Sequence, residues 1–182
     1  MAPTSNDDII TAILEHEGGF VDRPEDRGGP TNRGITLATL SSWRQTPVTP
    51  ADVRSLTEAE VRAIYLAVYI QKPGFDQIPD LSLRAIVVDS GVLSGPKMAA
   101  RWLQGTVGVA RDGVIGRQTL NAIAARDARA VYLALCANRL RFIGAVITTA
   151  PSQAVFAAGW LNRVAEFVES APLDLASQGP PG

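Results

Sequence analysis

The stretch Ser5-Asn6-Asp7-Asp8-Ile9-Ile10-Thr11-Ala12-Ile13-Leu14-Glu15-His16-Glu17-Gly18-Gly19 carries its own start and stop signals for an amphipathic helix. Ser5 or Asn6 can cap it, and Asp7 and Asp8 fall in the first turn, where the positive end of the helix dipole favours them. Gly18-Gly19 ends it. At about 100° per residue, Ile10, Ile13, Leu14 and Glu17 share one stripe, with Glu17 near its centre and Glu15 on the opposite face. A carboxyl on that stripe is unusual. Partial desolvation and the negative end of the dipole both disfavour its charged form, which is the condition a proton donor needs. The competing reading is a boundary carboxylate bonded to Arg23 or Arg33, and helix geometry alone does not choose between them.

Outward from this helix the pattern stays mostly helical. Residues 20–35 are rich in Gly, Pro, Asp and Arg without a helical period, and read as a loop or small β-hairpin. Ile35-Thr36 leads into a helix to about Trp43, and Pro47 and Pro50 interrupt the chain beyond it. Thr57 and Glu60 have capping-box spacing, Leu56 and Val61 that of a hydrophobic staple. The helix they open is expected to reach about Ile70, ahead of Lys72-Pro73-Gly74. Further helices are expected at 81–93 and from Pro96 to about Gln104, then at 117–125, 128–147 and 152–170 after a glycine-punctuated stretch, with Pro151 as a break. The tail 171–182 is expected to be flexible. The fold class is therefore mainly α with a small β-hairpin or loop after the first helix.

Composition narrows the function classes. The chain has 182 residues, 46% of them hydrophobic, enough for a packed core. Seventeen basic and 18 acidic side chains leave a net charge of -1, which argues against a nucleic-acid binder driven by a global positive field. The single cysteine, Cys136, forbids an internal disulfide and suits a reducing compartment; the single histidine forbids a multi-histidine metal site. No metal or cofactor is expected. The N-terminus lacks a basic region followed by an apolar run, so no Sec signal is read. Apolar runs such as 142–150 fall short of the roughly 20 residues of a spanning helix, so no stable membrane insertion is expected.

The twenty residues Glu17-Gly18-Gly19-Phe20-Val21-Asp22-Arg23-Pro24-Glu25-Asp26-Arg27-Gly28-Gly29-Pro30-Thr31-Asn32-Arg33-Gly34-Ile35-Thr36 resemble the signature of glycoside hydrolase family 108. That signature is Glu-Gly-Gly-aromatic-Val followed by Pro-x-Asp-x-Gly-Gly-x-Thr-x-x-Gly-Ile-Thr. Tyr65 and Tyr69 resemble a family tyrosine pair, with Ile70 where a tryptophan is expected. Asp89-x-x-Val92-x-Ser94-Gly95 resembles a further element, with Leu93 in place of asparagine. Residues from Ala99 to Thr119 resemble the peptidoglycan-binding segment attached to this family, and Gly159-Trp160-x-x-Arg163 a recurring element near its end.

The resemblance covers about residues 5–168. It implies a lysozyme-like helical fold with a catalytic part at 1–95 and a helical peptidoglycan-binding part at 96–170, the two expected to pack as one compact unit. It further implies an N-acetylmuramidase acting on bacterial peptidoglycan, with Glu17 as general acid. Asp26 and Thr31 are candidates to hold a water against the far face of the sugar, though each is equally readable as a turn cap or a hairpin hydroxyl. Tyr65, Tyr69 and Asp89 are the candidate substrate contacts. Use as an endolysin is expected: a monomer made in the host cytoplasm, released with a holin, acting on the wall. The competing activities are a lytic transglycosylase and a non-catalytic wall-binding or secretion-assisting module.

Overall fold

A computed structural model describes residues 2–22 and 29–171. Helix α1 (Asn6–His16) begins where its capping signal lies: the Asp8 N–H donates to Ser5 Oγ at 3.1 Å. It buries Ile9, Ile10 and Ile13. The helix stops one residue earlier than its periodicity suggests. Glu17 is the terminal cap with extended backbone (φ -85°, ψ 130°), so its side chain leaves from the end of the helix and not from the apolar stripe.

A two-stranded antiparallel hairpin comes next, β1 (Thr31–Asn32) with β2 (Ile35–Thr36), in the register Thr31 to Thr36 and Asn32 to Ile35. Val21 bridges Thr31 through a reciprocal pair of 2.8 Å hydrogen bonds. Thr36 caps α2 (Leu37–Arg44). The chain is irregular at Pro47–Thr49, as expected, but Pro50 does not extend the interruption. Pro50 instead takes the first turn of α3 (Pro50–Arg54), where its missing N–H costs nothing, and Thr49 and Asp52 form a complete capping box. At α4 (Glu58–Ile64) only half of the expected box forms. Thr57 Oγ1 accepts from the Glu60 N–H at 3.2 Å, but the Glu60 carboxylate is taken by Arg44 in two 2.9 Å bonds. Helix α4 continues as a wide π-helical segment, Tyr65–Gln71, closed by a five-residue-apart bond from Lys72 N–H to Ala67 O. These elements form one compact unit, Ser5–Lys72.

A second compact unit, here called the Pro73-onward unit, comprises residues 2–4 and 73–171 of those described. Its centre is α5 (Leu81–Ser94), apolar on nearly every side and burying Leu83, Ile86, Val87 and Val88, as a helix surrounded by others must. Helices α6 (Pro96–Val107) and α8 (Ala128–Thr149) pack on it, with α7 (Arg117–Ala124) on α6 and α8, and α9 (Ala157–Glu169) on α8. The single helix expected at 152–170 is split: Pro151–Phe156 is 3-10, and α9 begins only at Ala157. By length and composition α8 could cross a membrane, a property hidden from a search for uninterrupted apolar runs. Midway along it, however, Arg139 is 1% exposed and ion-paired to Asp89. That placement packs the middle of α8 into this unit. The chain is mainly α with a single two-stranded hairpin among its described residues, a lysozyme-like arrangement.

Candidate active site

Glu17 is half-buried at the C-terminal end of α1. The hairpin turn is built to receive it. Both central residues of the turn have positive φ, Arg33 at 49° and Gly34 at 75°, as the tight turns whose twist matches a hairpin require. Gly34 is needed twice over. Besides its φ, a Cβ there would stand 2.9 Å from Glu17 Oε2 and 2.5 Å from Tyr65 Oη. The backbone of the turn therefore lies directly against the carboxyl and the phenol.

Arg33 is a non-glycine residue in the left-handed region, and three contacts hold it there. Its N–H donates to Gly18 O at 3.1 Å, its carbonyl accepts from Tyr65 Oη at 3.0 Å, and its guanidinium lies 3.4 Å from Glu58. Asn32 fixes the other side of the turn by donating from Nδ2 to Val53 O (2.9 Å) and Arg54 O (3.3 Å).

The two tyrosines come together as their spacing implies. Their rings stack at 5.1 Å with 28° between planes. The wide segment helps, because residues four apart lie closer to one line in a π turn than in an α turn. Tyr65 is fully buried, and Tyr69 half-buried. Burial pushes the Tyr69 hydroxyl above its ordinary pKa and the nearby Glu17 charge pushes the same way, while a bond with the Thr39 side chain partly offsets both. Tyr69 thus lies within electrostatic reach of Glu17.

A cleft of about 360 Å³ opens beside the acid, lined by Thr11, Leu14, Glu15, Glu17, Gly18, Gly19, Arg33, Glu58 and Arg62. Arg62 stiffens one wall. It donates to Glu58 (3.1 Å), Asp7 (2.9 Å) and the Thr11 hydroxyl (3.0 Å), tying α4 to the first turns of α1. The spacing of Glu58 and Arg62 is legible on a helix. Their links to Arg33 and Asp7 are not, because those partners are distant in sequence.

Thr31 sits on β1 with its backbone engaged by Val21, and Asp26 lies outside the described residues. Asp89 is elsewhere. It is 3% exposed inside the Pro73-onward unit, where its carboxylate is shared by Arg139 and by Arg163, whose Nε stands at 2.7 Å. Expected as a sugar contact, Asp89 instead joins α5 to α8 and α9 from within. Among the described residues no group of three His, Cys, Asp or Glu could hold a metal ion.

Residues 10–95 match the glycosyl hydrolase 108 family, and residues 98–165 match the predicted peptidoglycan domain. Among solved structures, that of Brucella abortus SagA is 36% identical, aligned over 92% of this chain and 95% of its own, with a TM-score of 0.79. The chain belongs to the glycosyl hydrolase 108 family. No curated protein matches it. As a glycosyl hydrolase 108 member with a peptidoglycan domain, it is a glycoside hydrolase that acts on peptidoglycan, and hence on the cell wall. The two matches meet around Gly95 and Pro96, whereas the compact units part at Lys72 and Pro73. Helix α5 therefore belongs to the hydrolase match by sequence and to the second unit by packing.

Proposed function

We propose that this glycosyl hydrolase 108 chain is an N-acetylmuramidase, cleaving the β-1,4 bond between N-acetylmuramic acid and N-acetylglucosamine with Glu17 as general acid. The supporting observation is the setting of Glu17: a half-buried carboxyl at a helix end, against the backbone of Gly34, at the side of a cleft of about 360 Å³. Such a group can deliver a proton to the leaving glycosidic oxygen while an oxocarbenium-like centre develops on the sugar. In the same reading half-buried Tyr69 is the sugar contact beside the acid, fully buried Tyr65 only supports the turn from within, and Asp26 and Thr31 hold the attacking water. Attack from the face opposite the leaving group then inverts the anomeric centre. Residues 1–95 would supply the chemistry and 96–170 the hold on the wall.

The test is hydrolysis of purified sacculi by wild type and Glu17→Gln, with products read by mass spectrometry. Loss of a general acid typically costs on the order of 10²–10⁴-fold. Activity above about a tenth of wild type, with circular dichroism unchanged, would move the acid elsewhere. Soluble fragments should end in reducing N-acetylmuramic acid. Reducing N-acetylglucosamine would overturn the bond assignment, and a dominant 1,6-anhydro product would replace hydrolysis by transglycosylation.

A further inference from the structure

The segment matched by the predicted peptidoglycan domain, residues 98–165, holds eight arginines and two aspartates, in a chain whose net charge is -1. Neither aspartate is available to balance that surplus. Asp127 caps α8, accepting from the Ala130 N–H at 2.6 Å. Asp112 Oδ1 accepts from Gln104 Nε2 at 2.6 Å and from the Val114 N–H at 2.8 Å, and Arg101 is only a minor influence on its charge. Arg139 and Arg163 are spent inside the unit on Asp89.

Part of the surplus is gathered on one face of α6. Lys97 and Arg101 stand one turn apart, and the next position on that face is Gly105. The guanidinium of Arg111 lies over this bare glycine, and the stem of Lys97 crosses Gly113, where a Cβ would come within 2.7 Å of Lys97 Cγ. The stripe so formed is about 12 Å long, from a rise of 1.5 Å per residue. Among the described residues, none of the three cations makes an ion pair or a hydrogen bond, and Arg101 Nε is enclosed without a partner. In the Ser5–Lys72 unit, by contrast, Arg44 is paired with Glu60 and Arg62 with Glu58.

We propose that the Lys97–Arg101–Arg111 stripe is a second binding site, which takes the carboxylates borne by the peptide stems of peptidoglycan. An extended peptide advances about 3.3 Å per residue, so a stem of three or four residues spans the stripe. The proposal rests on peptidoglycan being the substrate of the Glu17 cleft, but its test does not depend on turnover.

That test is co-sedimentation of the Glu17→Gln protein with sacculi at about 50 mM salt, where exposed charges are little screened. Three wall preparations are compared: intact sacculi, sacculi whose stem carboxylates have been amidated with carbodiimide and ammonia, and sacculi stripped of stems by an amidase. The added substitutions Lys97→Gln, Arg101→Gln and Arg111→Gln together should weaken binding to intact sacculi by about tenfold or more, the order expected for three exposed charge pairs. Amidated and stripped sacculi should bind the parent protein as weakly as intact sacculi bind the triple variant. Arg101→Lys should hold, and so should the control pair Arg129→Gln and Arg141→Gln, which removes two exposed charges of α8. Equal binding by the triple variant, or an equal loss in the control pair, would overturn the site, the latter showing diffuse attraction only. Undiminished binding to stripped sacculi would also overturn it. If the triple variant fails to fold, the amidated wall still decides, because there the stripe is unaltered. Failure of muramidase activity, by contrast, would appear as absent fragments from wild type and not as a change in sedimentation.

Discussion

Gly34 concentrates the demands of the candidate site in one position. Alanine there would have to adopt φ 75° and place a methyl group against Glu17 and Tyr65 at the same time. Gly34→Ala is expected to cost about 1–3 kcal/mol, from backbone strain and crowding together. It should also lower activity on sacculi more than any change of equal cost placed in α2, because the displaced group is the proposed acid. Thermal melts and turbidity loss on the same samples check both parts. Tyr65→Phe is the gentler probe. It keeps the ring stack with Tyr69 but removes the bond to Arg33 O, leaving that carbonyl without its donor. A loss of about 0.5–1.5 kcal/mol is expected, with kcat falling more than KM changes, since the turn that bears Gly34 would loosen.

Helix α8 carries two groups whose ionisation the fold resists. Burial, the main cause in each case, pushes the Cys136 thiol from 9.0 up to about 11 and the Tyr132 hydroxyl from 10.0 up to about 12. The Tyr132 hydroxyl donates to Phe167 O at 2.7 Å, so α9 is held through the protonated form. Between about pH 9 and 12 the native chain binds more protons than the unfolded chain, so stability falls as pH rises through that window. The melting temperature is expected to lose its contribution from these groups only above pH 9, and Cys136→Ala should shift the onset towards the Tyr132 window. Iodoacetamide at pH 8 should label Cys136 only after denaturation. At the start of the same helix, Asp127→Ala removes the cap at Ala130 and is expected to cost about 1 kcal/mol by urea titration.

The Asp89 cluster links three helices of the Pro73-onward unit, and its energetics are those of a charge taken out of water. Removing one partner is worse than removing all. Asp89→Asn leaves Arg139, 1% exposed, without its countercharge, and is expected to cost about 3–5 kcal/mol. Replacing the set by Asp89→Leu, Arg139→Met and Arg163→Leu should recover most of that loss, because an apolar group needs no compensation. Urea midpoints of wild type and the two variants check the ordering; a triple variant weaker than Asp89→Asn would show that the cluster contributes more than its own desolvation. The same cluster fixes the middle of α8, a helix apolar enough to span a bilayer, inside this unit, because it holds a guanidinium that needs Asp89.

Much of this was legible in order along the chain, because the signals are local. Ser5 before Asp7-Asp8, Gly18 after Glu17, Thr57 before Glu60 and Pro96 after Gly95 act on backbone groups within a turn of themselves, so short spacing suffices to place a helix end. The Thr49-Pro50-x-Asp52 signal was equally local, and marks α3 as surely as Thr57 marks α4. The dense run from Glu17 to Thr36 likewise identified the family and its candidate acid. What the sequence could not determine were partnerships between residues far apart along it. Glu60 has capping-box spacing but turns to Arg44; Arg33 is held in a strained turn by Gly18 and Tyr65; Asp89, part of a family motif, finds Arg139 fifty residues on and Arg163 seventy-four residues on. A carboxylate accepts a bond from whichever donor the packed helices bring nearest. Only packing decides which carboxyl stands at a cleft, as Glu17 does, and which is sealed inside the core, as Asp89 is.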